Sequence, residues 1–195
     1  MDSPRRYASL LLITASKDTA AQFARLLPAD RFAPEYNVCS PLEAGIVLGD
    51  ALYDVVVIDG SVSPDTARDL AAAAEDAGSG NVLLLADSAR FPAAAEFAER
   101  HGFLALPSPV DPALLKQSLG MMATASARIH ELEEKAENLQ AKMDEMRVVN
   151  RAKLILVQRF GMSEKDAHHF IEKNAMDRCV RRRVIAENII RTYQN

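Results

Sequence analysis

Apolar runs of strand length alternate with helical patterns through the first 120 residues. "ASLLLIT" precedes "DTAAQFARLL", "EYNVC" precedes "PLEAGIVLGD", and "YDVVVID" precedes "SPDTARDLAAAAEDAG"; "NVLLLA" is then followed by "RFPAAAEFAERHG", and "FLAL" by "DPALLKQSLGMM". Five such pairs with continuously hydrophobic strands predict an α/β fold, a five-stranded parallel doubly wound sheet with helices on both faces. The short turns between them fit right-handed crossovers.

From Met122 the period changes to seven. With Met122 at position a, the seam reads Ala125, Ile129, Leu132, Ala136, Leu139, Met143, Met146 and Asn150, and no Pro or Gly interrupts it. Four such heptads predict a long coiled-coil helix over residues 121–150. Ile129, Leu132, Ala136, Leu139, Met143, Met146 and Asn150 would line a homodimer seam, and a lone Asn at an a position favours two strands in fixed register. A single long helix packing on its own domain is the competing reading. Paired g and e positions would bring Arg128 near Glu133 favourably and Lys142 near Arg147 unfavourably, so the pattern leaves strand orientation open.

The helical pattern continues through "NRAKLILVQRF" to Gly161, a natural stop. Ser163, with Asp166 three places on, predicts the start of a second helix, whose apolar members are Ala167, Phe170, Ile171 and Ala175. Asp177 is expected to cap a third, with Val180, Val184, Ile185, Ile189 and Tyr193 as its apolar stripe and the arginines mainly opposite. A three-helix module over residues 146–195 buries little by itself, so docking or dimerisation is expected to support it.

Composition changes the picture mainly through charge. The chain carries a net −4, yet residues 146–195 sum to +6 and the remaining 145 to −10. Arg178, Arg181, Arg182 and Arg183 fall within six positions. A cationic segment on an anionic body points to an anionic partner, commonly nucleic acid or a membrane surface; a solvated helix face is the plainer alternative. Cys39 and Cys179 form neither a CxxC nor a disulfide framework, which suits reduced thiols in a cytoplasmic protein. Arg5 and Arg6 before "YASLLLITA" imitate a short signal peptide, but the run ends in "SKD" and reads better as a first strand. No stretch approaches the ~18 apolar residues of a membrane helix, so no membrane role is expected. No nucleophile–base pair, metal-ligand cluster or glycine-rich phosphate loop is present, so neither an enzyme nor a bound metal or cofactor is expected.

The tail resembles the ANTAR domain, the RNA-binding module of amidase and nitrate-assimilation antiterminators. The matching residues are Ala152, Lys153, Ile155 and Leu156; "GMSEKDA" with Gly161, Ser163 and Ala167; Ile171 and Lys173; the "AMD" of 175–177; and "IAENII" with Ala186, Ile189 and Ile190. Leu154 stands where the family usually carries Gly, a departure expected to alter only local packing. The resemblance implies binding to small hairpins in a leader transcript, which prevents a terminator from forming. Arginines suit that task because guanidinium groups both neutralise phosphates and stack on unpaired bases. On that chemistry the residues expected to bind RNA are Arg151, Lys153, Lys165, His168, Lys173, Asn174, Arg178, Arg181, Arg182 and Arg183. His168 and His169 are equally compatible with exposed helix residues that hold no ligand, and side chains about 100° apart make a poor metal pair.

The first 120 residues resemble the receiver domain of two-component regulators, a flavodoxin-like sheet. "VVVIDG" places Asp59 where that family carries its phosphoacceptor. The accompanying chemistry is missing: Thr14, Ala15 and Ser16 replace the acidic pair that holds magnesium, Ala86 replaces the hydroxyl after strand four, and Ser108 replaces the lysine before Pro109. Asp59 is therefore expected to keep a structural or vestigial role, unphosphorylated, in a pseudo-receiver that serves as a docking surface for a sensor or inhibitor protein or as a dimer partner, or that answers a non-standard signal. Two functions from other classes compete with RNA binding: a protein-interaction module whose arginines meet an acidic partner, and a DNA-binding response regulator. The second lacks a convincing recognition helix.

Overall fold

The computed structural model describes residues 8–27, 32, 36–79 and 81–193; Arg5 and Arg6 lie outside them. The chain divides into two units, Met1–His130 and Glu131–Asn195. The first contains β1 (Leu10–Ile13), α1 (Lys17–Leu26), β2 (Tyr36–Cys39), α2 (Pro41–Asp50), β3 (Val55–Ile58), α3 (Pro64–Asp76), β4 (Asn81–Asp87), α4 (Phe91–His101), β5 (Leu104–Ser108) and the start of α5 (Pro112–Phe160). The second contains the rest of α5, then α6 (Glu164–Asp177) and α7 (Arg182–Tyr193).

The five strands are parallel in the order β2-β1-β3-β4-β5, the doubly wound order shared by flavodoxin-like and receiver folds. Successive strand residues face opposite sides, and both sides are covered. Leu11, Ile13, Val56, Ile58, Val82 and Leu84 join Leu48 of α2 and Leu70, Ala71 and Ala74 of α3 in one core. Leu10, Leu12, Val55, Val57, Leu83 and Leu85 join Phe23 of α1 and Leu115, Leu119 and Met122 of α5 in the other. This double burial is why the strands read as unbroken hydrophobic runs.

Serines set three helix starts: Ser16, Ser40 and Ser63 each accept a backbone N–H in the first turn of α1, α2 and α3. At α2 the cap is reciprocal, because the Ser40 hydroxyl and backbone N–H both donate to Glu43 and hold its carboxyl below the usual range. Burial, reinforced by the charge of Glu43, pushes the Cys39 thiol up to about 11, leaving it protonated and unreactive at neutral pH.

The heptad pattern starts later than its spacing suggests. Met122, assigned to position a, is buried with Ala123 and Ser126 against the first unit. One turn on, α5 is latched to β3's N-terminal end: Asp54 accepts from Ser126 Oγ at 2.6 Å and from both the backbone and hydroxyl of Ser9, and His130 Nε2 lies 2.6 Å away. Burial pushes the Asp54 carboxyl up, but the bonds from Ser126, Ser9 and His130 together outweigh it and leave the group below its ordinary value. A depressed carboxyl stabilises the fold fully above its unfolded pKa of about 3.9 and loses that contribution as pH falls through the lower folded value. Asp54→Asn is therefore expected to lower Tm at pH 6, with the gap from the wild type closing below pH 4. A gap that stays constant over that range in melting scans would remove Asp54 as a source of acid sensitivity.

In the second unit, α5 ends at Phe160 because Gly161 adopts φ +65°. Ser163 caps α6, accepting from Asp166 N and donating to the Asp166 carboxylate at 2.6 Å. The third helix differs from expectation. Asp177 closes α6 instead of capping α7, Cys179 turns the chain with φ +52°, and α7 begins only at Arg182. Val180 therefore lies outside α7, and Val184 is exposed within it. The core takes one triplet from each helix: Val149, Ala152 and Leu156; Ala167, Ile171 and Ala175; Ile185, Ala186 and Ile189. Phe170, expected among the apolar members of α6, is exposed instead.

Candidate nucleic-acid interface

The three core triplets turn the cations outward, and the structure sorts them by whether an acid already holds them. Lys153 donates to Glu164 at 2.9 Å. That hydrogen bond first, and the lysine charge second, lower the Glu164 carboxyl. His168 lies 3.2 Å from Glu172. Arg182 reaches from the start of α7 to Glu172 of α6 at 3.3 Å and Glu145 of α5 at 3.6 Å, strapping the three helices together. Arg183 donates to Glu187 at 2.7 Å, which holds its guanidinium pKa above the usual value. Among the described residues Arg151, Lys165, Lys173, Arg178 and Arg181 have no acidic partner, and all five are exposed. Surface pairs of this kind contribute little to stability, yet each occupied cation must exchange its carboxylate before it can hold a phosphate.

Two grooves cut this unit. The first is lined by Lys142, Glu145, Met146, Val149, Asn150, Lys153, His168 and Arg182. It brings together Lys153, His168 and Arg182 from the expected RNA-binding set, with Met146 and Asn150 from the expected seam. The second, between the C-terminal end of α5 and the outer sides of α6 and α7, holds Asn174 and Arg178 beside Phe160, Phe170, Asn188 and Tyr193. Arg151, Lys165, Lys173, Arg181 and Arg183 line neither. Lys142, Asn188 and the exposed aromatics escaped sequence reading; Asn188 lies inside the "IAENII" motif, whereas an exposed Phe170 cannot be told from a core Phe by helical spacing alone.

The residues expected at the seam are exposed on the single chain. Leu132, Leu139 and Met146 are 57%, 61% and 63% exposed, Ile129 and Met143 are also exposed, and no residue between 131 and 147 is buried. Ala136 and Asn150 are exposed on the same helix.

Asp59, at the end of β3, is buried. Its Oδ2 accepts from Thr14 Oγ1 at 2.9 Å and Ser61 Oγ at 2.6 Å, both hydroxyls. Among the described residues no group of three or more His, Cys, Asp or Glu could hold a metal ion, and no helix is long and apolar enough to cross a membrane.

Residues 137–190 match the ANTAR domain family. Over 80 residues the chain is 31% identical to the aliphatic amidase regulator of Pseudomonas aeruginosa PAO1, a match spanning 41% of this chain and 40% of that protein. The chain thus covers less than half the length of this curated relative. Among solved structures, the adenylate cyclase from Rhodopirellula baltica superposes with TM-score 0.54 at 16% identity, over 68% of this chain and 98% of that one. A fusion carrying the yeast Spc42 trimeric coiled coil superposes with TM-score 0.50 at 18% identity, over 73% and 93%. At these identities both are likenesses of fold alone.

Proposed function

We propose that the chain, in which residues matching the ANTAR domain (137–190) follow a receiver-like sheet, is a response regulator of the antitermination type that binds leader-transcript hairpins as a dimer. The observation that carries this reading is that, of the cations expected to bind RNA, Arg151, Lys165, Lys173, Arg178 and Arg181 are exposed and have no acidic partner among the described residues, on a unit that matches that family. Cations already neutralised by the protein would gain little from phosphate; these would gain the full counterion-release contribution. The curated relative's role as a regulator supports the assignment.

Dimerisation is supported by the Ile129–Met146 stripe. A lone helix with that much exposed Leu and Met is a surface awaiting a partner, and heptad spacing suits a second copy of itself. Control without phosphoryl transfer is supported by the Asp59 surroundings, where Thr14 and Ser61 both donate to one carboxylate oxygen, Oδ2. A sensor or inhibitor protein docking on the receiver-like domain would supply the signal, and the exposed Leu42 and Ile46 of α2 offer it an apolar surface.

The test is a gel-shift comparison of the purified protein on a hairpin pair, a duplex DNA of equal charge and a scrambled RNA. Preference for the hairpins is expected, with a logarithmic salt slope of about −0.7 per neutralised phosphate. Equal binding to all three would overturn the proposal, and binding to none would favour the protein-interaction module.

A further inference from the structure

The groove at the C-terminal end of α5 has the chemistry of a base site rather than a phosphate site. Its volume is about 390 Å³, within the range of sites that take small planar ligands. Phe160 and Tyr193 meet edge to face at 5.1 Å and 82°, and Phe170 contributes a second exposed ring from α6. Exposed aromatic faces are costly to leave wet, and a stacked base covers one without demanding a particular sequence.

Polar edges complete the site. The Asn174 amide donates its N–H to the Phe170 carbonyl at 2.8 Å, which fixes the side chain and leaves its oxygen to accept. Arg191 donates to the Asn188 oxygen at 2.7 Å, leaving that amide's N–H₂ to donate. Asn174 of α6 and Asn188 of α7 thus line one groove with Phe160, Phe170 and Tyr193, over the aliphatic Leu156, Ile185 and Ile189. Arg178 also lines it, without an acidic partner among the described residues, and suits the phosphate of the same nucleotide.

We propose that this groove captures one unpaired base of the hairpin loop, stacked against Phe170 and read at its edge by Asn174 and Asn188. The proposal rests on the RNA-binding reading above and goes beyond it in separating base capture from phosphate attraction: single-stranded loops are recognised by splayed bases on aromatic platforms, whereas the remaining free cations act on any polyanion.

The experiment uses the full chain and a hairpin selected on it from a pool with randomised loops. 2-Aminopurine is then placed at each loop position in turn. Wild-type protein is expected to quench the fluorescence at one position, and Phe170→Ala to abolish that quench and weaken binding roughly tenfold while the salt slope stays unchanged. Phe170→Tyr should restore both, and circular dichroism melts confirm that each variant is folded. Hairpin binding without quenching at any loop position, or an unaltered quench in folded Phe170→Ala, would overturn the base site and leave RNA binding standing. Failure to select any hairpin would overturn both together.

Discussion

Replacing Leu132 and Leu139 together by glutamate is expected to convert the protein from dimer to monomer and to abolish binding to a hairpin pair at concentrations where the wild type saturates it. Both leucines are more than half exposed on one chain, so most of their apolar surface remains to be covered by a partner. Covering that remainder contributes ~1–2 kcal/mol per side chain. A symmetric pair of helices loses four such contributions, roughly 4–8 kcal/mol, and acquires like charges facing across the seam. At 1.4 kcal/mol per tenfold, the dimer dissociation constant rises by about a thousandfold or more. Neither residue belongs to the cores of the two folded units, so the melting behaviour of a monomeric variant should stay close to that of the wild type. Losing the dimer also removes the effective-concentration gain from engaging two hairpins at once, about 10²–10⁴ in avidity. Sedimentation velocity reads the first effect and gel shift the second. A variant that remains dimeric would transfer the interface elsewhere on the molecule.

The second large effect is expected from Arg178→Ala combined with Arg181→Ala. Both side chains are exposed and lack ion pairs among the described residues, so their removal leaves no buried acid unmatched. Two lost phosphate contacts should flatten the salt slope by about 1.4 and weaken binding at 0.15 M salt by about tenfold, uniformly across loop sequences. Arg182 is deliberately spared, because its ion pairs to Glu145 and Glu172 join three helices and its loss would mix packing with affinity. A double variant with an unchanged slope would show that neither arginine meets a phosphate.

Much of the fold was legible beforehand because its determinants are local. Strands buried on both faces must be apolar at every position, helix starts need a side-chain acceptor such as Ser40 or Ser163, and Gly161 ends α5 by adopting a backbone conformation that costs other residues energy. The third helix was misplaced because Cys179 takes the same left-handed region without being Gly, so nothing in the local pattern announced the turn. The heptad register ran too far back for another reason. Met122 suits a coiled-coil seam and a globular core equally, and hydrophobicity alone does not say which surface arrives first.

The candidate site divides along the same line. The charge concentrated in the tail could be counted, but which cations stay available depended on acids from other helices: Glu145 lies 37 residues from Arg182, and Glu164 lies 11 from Lys153. The Asp54 latch joins residues separated by 45, 72 and 76 positions, and the aromatic groove is assembled from three helices.

By itself, then, the order of residues determined the parallel sheet, the long helix, the three-helix tail and its excess of positive charge, since periodicity and net charge are properties of the chain. Only the folded structure decided which arginines are free, where the apolar stripe begins to face water and which aromatics stand outside the core. Those depend on contacts between distant segments, and such contacts exist only once backbone geometry has brought the segments together.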